Sequence, residues 1–421
     1  MRRNLLSHTH APARRAWLAA LVAVFALALL PAMASAHGRG HDRVHGHSHG
    51  KAAHHGYGGH HGHHGKAVHH GHGHHGDQGH HGQDRRDLTV MTQNLYLGSS
   101  LGPALEAKTP EEFVAAVAQI YATVQYTNFP QRAEAIAGEI QEKEPDLIGL
   151  QEVTKWTTAG SNPPPGYDFL AILQSDLEAR GLDYSVGSIA HNANIGPAPL
   201  VSETCPVVSG QFTCSVQLED RDVILVNDDT PELTWSNPQS GRYTAQQVIE
   251  SPVGPLSFDR GWASIDAKLK HQPFRFVDTH LETEESPLVQ EAQAAEFLAG
   301  PGKGGTIVAT GDFNSASDGS TTTSYAQLTA PGKFRDAWDE EQLGPGSSCC
   351  QESNAIPQLA PGQLNNAAST LKTRIDLILS RGAARSSGDE AELIGDTPFQ
   401  ATPPLWPSDH AGVVSTLHLA H

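Results

Sequence analysis

Thr306 to Asn314, TIVATGDFN, is a short β-branched and aliphatic run, Ile307, Val308 and Ala309, that breaks at Gly311 into Asp312, Phe313 and Asn314. A buried strand ending in polar residues delivers them to the rim of a sheet, where α/β folds commonly hold ligands. Asp312 and Asn314 stand two apart, so an extended backbone points both one way and turns Phe313 into the core. Taken alone, the stretch is equally an Asp/Asn turn after a strand, because turns favour these residues for reasons of their own. Its partners decide the matter. LTVMTQN, Leu88 to Asn94, ends in Gln93 and Asn94; DLIGL, Asp146 to Leu150, runs into Gln151 and Glu152; and Phe274 to Asp278 ends at Thr279, His280 and Glu282. RIDLIL, Arg374 to Leu379, places Arg374 and Asp376 on one face, and Ser408, Asp409 and His410 precede a closing strand, Val413 to Leu419.

Helical spacing separates these runs at Pro110 to Val124, Gln131 to Lys143, Tyr167 to Arg180 and Pro287 to Leu298, with a further helix near Tyr325. Other strands are expected at Tyr184 to Ser188, Val223 to Val226, Trp262 to Leu269 and Phe334 to Trp338, and residues 227–258 read as an insertion or hairpin. Strands alternate with helices, so residues 87–421 are expected to form one α/β domain.

The first 86 residues have no such pattern. Arg2, Arg3, Arg14 and Arg15 precede an apolar run from Trp17 to Leu30, then Pro31 and the small residues Ala34, Ser35 and Ala36. This is the layout of a signal peptide over residues 1–36, cleaved after Ala36, with an uncleaved anchor as the alternative. The expected location is therefore extracellular or periplasmic. Residues 37–86 hold 18 of the 26 His, interspersed with Gly and almost no large apolar side chain, so the tract has nothing to bury and is expected to be disordered. Clustered imidazoles suit Zn²⁺ or Ni²⁺; a solvated spacer is the alternative.

Formal charge is −18, and loss of a leader with Arg but no acid makes the mature chain more negative still. Such a body is repelled by polyanions at a distance, so metal ions rather than a basic groove must bring in a phosphate substrate. Cys205 and Cys214 bracket a short loop and are expected to pair; Cys349 and Cys350 are adjacent, and vicinal disulfide, free thiols and cross-pairing all stay open.

Together the strand ends supply Asn94, Glu152, His280, Asp312, Asn314, Asp376, Asp409 and His410. Hard divalent cations take oxygen ligands, and Glu152 is the expected primary ligand, with Asn94, Asp312 or Asp409 completing the sphere. Two histidines among carboxylates can act as acid and base when each imidazole is oriented by an acid. Taken singly, Glu152 is also a solvated rim residue and Asp376 an ion-pair partner for Arg374. His191 and His271 read as surface residues, and His418 and His421 have no assigned role.

In this order, TQNL, QEV, DTHLE, GDFN, RIDLIL and SDH resemble the signature segments of the endonuclease/exonuclease/phosphatase superfamily, over residues 88–419. The resemblance implies two mixed β-sheets packed as a sandwich with helices on the outer faces and the site at one end. It further implies Mg²⁺ or Mn²⁺ on Glu152 with Asn94 beside it and Asp409 near. Asp312 would position or deprotonate the attacking water, and Asn314 would hold a phosphate oxygen. His410, oriented by Asp376, and His280, supported by Asp220, would handle protons. A nuclease-like phosphodiesterase leads, acting as a monomer on a phosphodiester substrate with no protein partner inferred. A sphingomyelinase or other lipid phosphoesterase follows, and a catalytically inactive domain carrying a metal-binding tract is the reading of another class. Low Lys and Arg content weakens a duplex-binding groove. No aromatic hairpin suited to a membrane is evident, although Trp156 to Tyr167 could form a contact loop.

Removing residues 37–86 is expected to abolish retention on immobilised Ni²⁺ or Zn²⁺ while leaving turnover unchanged; a collapse of turnover would place the tract in the active site.

Overall fold

The computed structural model describes residues 87–338 and 343–419. The leader and the His/Gly tract lie outside the described residues. Two main sheets form. The eight-stranded one runs in the order Ala384–Ile394, Gly412–Leu419, Asp87–Asn94, Leu147–Gln151, Cys214–Asn227, Lys155–Gly160 and Tyr167–Asp168, with Tyr184–Leu200 also paired to Cys214–Asn227. The six-stranded one runs Arg335–Asp336, Asp376–Arg381, Ile307–Asp312, Gln272–His280, Gly261–Leu269 and Leu233–Arg242.

Strand alternation explains the layers. Val90, Leu147, Ile224 and Val226 of the first sheet meet Ile265, Phe276, Val308 and Ile378 of the second in one core. The opposite side of the first sheet, Met91, Ile148, Val223 and Leu225, packs on Phe113, Ile120, Ile136 and Leu173 from helices Pro110–Tyr126, Phe129–Lys143 and Phe169–Ala179. Helix Pro287–Ala299 covers the second sheet through Phe297, against Phe313 and Ala309. This is the expected sandwich with helices outside. The first long helix begins with a capping box in which Thr109 and Glu112 exchange hydrogen bonds, satisfying amide groups that a helix leaves open.

The pairing register sets the level of each strand end. Asn94 pairs with Gln151 in parallel, His280 with Asp312 in parallel, and Asp312 with Asp376 antiparallel. Three neighbouring strands of the second sheet therefore finish or begin in one row of polar residues, facing two parallel strand ends of the first.

Several elements exceed their sequence signal. The strands expected at Tyr184 to Ser188 and Val223 to Val226 extend to Tyr184–Leu200 and Cys214–Asn227, and pair along most of that length with three register shifts. Their added segments are mixed in polarity because one face is open, so no apolar run marks them. Residues 227–258 resolve into the edge strand Leu233–Arg242 and a hairpin, Gln247–Ser251 with Gly254–Phe258. Phe334 to Trp338 is reduced to the two-residue strand Arg335–Asp336.

Between the sheets a buried polar group crosses the apolar layer. Asp278 accepts from Gln151 Nε2 at 2.7 Å and Thr310 Oγ1 at 3.0 Å, and the carboxyl occupies the space in front of Gly149. A Cβ on Gly149 would collide with Thr310 Oγ1 and Asp278 Oδ1. Gly149→Ala is expected to lower the unfolding free energy by about 1–3 kcal/mol, the usual cost of overpacking a tight interior, as read from urea denaturation. An unchanged midpoint would show that the two sheets can separate at this point without loss.

Candidate active site

Asp312 ends its strand fully inside the protein, 2% exposed, and four neighbours converge on its carboxylate. Oδ1 accepts from the backbone N–H of Asn314 at 2.9 Å, and Oδ2 accepts from Asn94 Nδ2 at 3.1 Å. His280 Nε2 lies 3.4 Å from Oδ2, and His410 Nε2 lies 3.9 Å from it. Burial raises the Asp312 carboxyl, but His280 and then His410 outweigh it and hold the group below the usual carboxylate range. Gly311 is required before it because a Cβ there would strike the carbonyl oxygen of Thr279.

His410 is oriented as the sequence implies. Its Nδ1 lies 2.9 Å from Oδ2 of Asp376, so Nε2 is the nitrogen left facing Asp312. Burial lowers this imidazole, while Asp376, Asp409 and Asp312 outweigh it and lift the group well above its ordinary value. Arg374, the alternative partner for Asp376, instead pairs with Asp336 at 2.6 Å.

His280 sits in a second nest. Arg260 Nη1 lies 2.9 Å from its Nδ1, and Asn314 Nδ2 lies 3.1 Å from its Nε2. Burial and Arg260 push His280 down, and Asp312 reverses the balance upward. Asn314 has left the strand, with a φ of 49°, and its amide also donates to Leu281 O at 3.0 Å. The extended geometry expected through Asn314 therefore stops at Asp312: Phe313 is buried as expected, but Asn314 is turned toward His280. Asp220 lies beside His280, as expected of a supporting acid, and Asp222 joins it. Burial raises both carboxyls, against which His280 and Asn192 act in the opposite direction.

Glu152 and Asp409 flank Asn94. Glu152 adopts a φ of 55°, a conformation L-residues avoid, and its Oε2 accepts from Leu97 N at 2.7 Å. Asp409 is raised by burial and further by Glu152, with His410 opposing. Arg132, whose charge acts on both Asp409 and Glu152, is fully buried and spends its hydrogens on the carbonyls of Thr127, Leu95, Pro407 and Tyr96. That arrangement ties the turn after Asn94 to the segment before Asp409, but leaves the carboxylates of Glu152 and Asp409 without a hydrogen-bonded cation. Two crowded carboxylates and the second lone pair of Asn94 Oδ1, whose first accepts from Tyr96 N, are hard oxygen donors in the charge state a divalent cation would relieve. The donor set fits Mg²⁺ or Mn²⁺.

Residues not singled out from sequence are Asp222, Arg260 and the buried Asn192, whose Nδ2 donates to Asp220 Oδ2 at 3.5 Å. Asp220 and Asp222 alternate on one strand face, a signal that was available; Arg260 stands at the foot of a hairpin with no motif around it. His191 and His271 are exposed as expected, and His191 pairs with Glu219 at 2.8 Å. Cys205 and Cys214 form the expected disulfide, with Cα atoms 5.5 Å apart, and Cys349 and Cys350 form a vicinal one.

The sequence profile of the Endonuclease/Exonuclease/phosphatase family matches residues 91–410. No curated protein matches the chain. Among solved structures, it is similar to an endonuclease/exonuclease/phosphatase family protein of Bacteroides thetaiotaomicron at 17% identity, covering 80% of this chain and 96% of that one with a TM-score of 0.47. It is also similar to truncated TDP2 of Caenorhabditis elegans, at 12% identity, 79% and 98% coverage and a TM-score of 0.42. The mannosyl-6-phosphatase of Bacteroides thetaiotaomicron VPI-5482 gives 17% identity, 78% and 99% coverage and a TM-score of 0.43.

Proposed function

The chain belongs to the endonuclease/exonuclease/phosphatase family, whose members are metal-dependent phosphoesterases, and on that footing we propose that it is an exported phosphodiesterase in which water attacks the phosphorus. The observation that carries this reading is the carboxylate of Asp312 set between two imidazoles, one of them aligned by Asp376. A bound Mg²⁺ or Mn²⁺ on Glu152, Asn94 and Asp409 would supply charge for the non-bridging phosphate oxygens.

The protein groups divide the remaining work. Asp312, held ionised, positions the attacking water and accepts its proton. His410, kept cationic by three carboxylates, donates from Nε2 to the phosphate as charge develops. Asp376 fixes that tautomer, as the acid of a hydrolytic triad does without a protein nucleophile. His280 stands on the other side of Asp312, held by Asn314 and Arg260, in position to protonate the leaving oxygen.

One observation favours lipid over nucleic acid as the substrate source. Strands Lys155–Gly160, Tyr184–Leu200 and Cys214–Asn227 continue past Glu152 and Asp220 as an arm; Asp220 to Cys214 alone is roughly 20 Å at strand spacing. Its tip is a hairpin, Val207–Val208 with Gln211–Phe212, stapled by Cys205–Cys214. A second hairpin, Gln247–Ser251 with Gly254–Phe258, rises between Tyr243 and Arg260, beside His280. Of the eight large apolar side chains exposed among the described residues, Val207, Val208, Phe212, Val248 and Val253 all lie on these hairpins, an unusual concentration at the end that carries the site. Between the arm and the second hairpin is a small apolar pocket of about 60 Å³ lined by residues including Leu101, Phe113, Trp156, Val216, Leu218 and Phe258. Trp156 Nε1 donates to Leu97 O, and Leu97 N donates to Glu152, so the cavity wall is two hydrogen bonds from the metal ligand. The expectation of no aromatic hairpin is thus corrected by Phe212, while Trp156, placed in a contact loop from sequence, is buried. Two-residue strands are too short to show periodicity.

His410→Ala and Asp312→Ala are each expected to lower turnover by about 10²-fold or more, the size typical of acid/base and electrostatic groups. Chelation with EDTA should abolish activity and Mg²⁺ or Mn²⁺ restore it; near-wild-type rates in either variant would count heavily against the assignment. Acid-soluble nucleotide release from plasmid DNA, set beside phosphocholine release from sphingomyelin vesicles, identifies the substrate. Phe212→Asp is expected to slow hydrolysis in vesicles while sparing a water-soluble diester, and equal effects on both would remove the lipid reading.

A further inference from the structure

The strip 348–351 runs along the Asp376–His410 pair and is tied to it at several points. Ser348 Oγ accepts from the backbone N–H of Ile375 at 3.2 Å and of Asp376 at 3.1 Å. Cys349 forms bridges with both Thr373 and His410, and Gln351 N donates to Asp409 O at 2.8 Å. The vicinal disulfide Cys349–Cys350 is consequently held against the imidazole, with Cys350 Sγ 3.8 Å from His410 Nε2. No step of the hydrolysis uses these sulfurs. Cys349 is buried and Cys350 is exposed, so a reductant or ion can reach the pair from solvent.

Both sulfurs and a ring nitrogen of His410 lie within 4.8 Å of one another, a span one coordination sphere can draw together. The imidazole is oriented as a ligand: Asp376 holds Nδ1, so Nε2 is the nitrogen that a cation can take once its proton is displaced, the acid-backed arrangement that metal-binding histidines favour. Thiolates and imidazole select soft or borderline ions, in contrast with the hard oxygen set on Glu152 and Asp409.

We propose that Cys349 and Cys350, once reduced, form with His410 Nε2 a binding site for one thiophilic divalent cation of the Zn²⁺ and Cd²⁺ class, and that loading this site silences the phosphodiesterase. The silencing rests on the reading of His410 given above; the binding does not. A dithiol reductant opens the disulfide by exchange, closing to its own disulfide as it passes two electrons and two protons to the pair. The cation then displaces the two thiol protons and the Nε2 proton of His410, all three passing to solvent as the sulfurs and the imidazole bind it, and His410 Nε2 can no longer carry a proton to the phosphate. On an exported chain the site exists before oxidation and disappears after it, so the enzyme would stay silent until outside the cell.

The test uses the full chain, reduced with a dithiol, desalted under argon and titrated with Cd²⁺ alone, then assayed with Mg²⁺ and added Zn²⁺. Apart from any Cd²⁺ held by the His-rich tract, the reduced chain should show thiolate-to-metal ultraviolet absorption that saturates at one Cd²⁺ per chain, and Zn²⁺ should lower its turnover by about 10²-fold, the cost of losing a general acid. The oxidised chain and reduced Cys350→Ser should keep turnover and lose both responses. The double variant Cys205→Ser, Cys214→Ser should retain both, since its loop lies elsewhere. Absence of thiolate absorption in the reduced chain would overturn the proposal. So would equal Zn²⁺ inhibition in the oxidised and Cys350→Ser proteins, which would locate zinc on the oxygen ligands. Absorption in a wild-type chain that hydrolyses no phosphodiester would sink the phosphodiesterase reading and leave the metal site standing.

Discussion

A carboxylate taken out of water is costly, and Asp312 is tolerated inside this protein because two imidazoles, an amide and a backbone N–H surround it. Those groups come from both sheets and from the segment before the closing strand. Removing any one would leave the others with unbalanced charge or an unmet hydrogen bond, so the geometry of the site and the docking of the sheets are one problem. The same mutual dependence explains why His410, though buried, stays above its ordinary value: its surroundings are acidic on three sides.

The scaffold contributes through register. Parallel pairing of His280 with Asp312 and antiparallel pairing of Asp312 with Asp376 place one imidazole and two carboxylates at one level without any loop needing to find them. The first sheet adds Asn94, paired with Gln151, and Glu152 in the residue that follows that pair, and Arg132 fastens the turn after Asn94 to the segment before Asp409 by filling four backbone carbonyls from a buried position. What projects beyond that level is different in character. The stapled arm and the second hairpin expose apolar tips above an acidic, polar floor.

Much of the strand framework was legible because buried strands must be apolar and their ends need not be. TIVATGDFN, LTVMTQN and DLIGLQE each show the switch from one to the other, and the structure ends each strand within a residue or two of it. The arm was not legible, since strands with one open face mix polar and apolar residues without a run. Asp222 and Arg260 were hidden for another reason: nothing local distinguishes a buried acid on a strand, or an Arg at a hairpin foot, from a solvated one. The adjacency of Cys349 and Cys350 was plain in the chain, but their seat against His410 was not.

Sequence alone determined which side chains stand at strand ends and therefore the chemical inventory: hard oxygen donors, two imidazoles and their acids, preceded by an Arg-led apolar run and a His-rich tract. Tertiary structure decided who faces whom. It gave Asp376 to His410 and Asp336 to Arg374, turned Asn314 onto His280, and brought the vicinal sulfurs to the same imidazole. The physical reason is that strand polarity is imposed residue by residue by burial, whereas partners are chosen by sheet register and by contacts between residues tens to hundreds of positions apart.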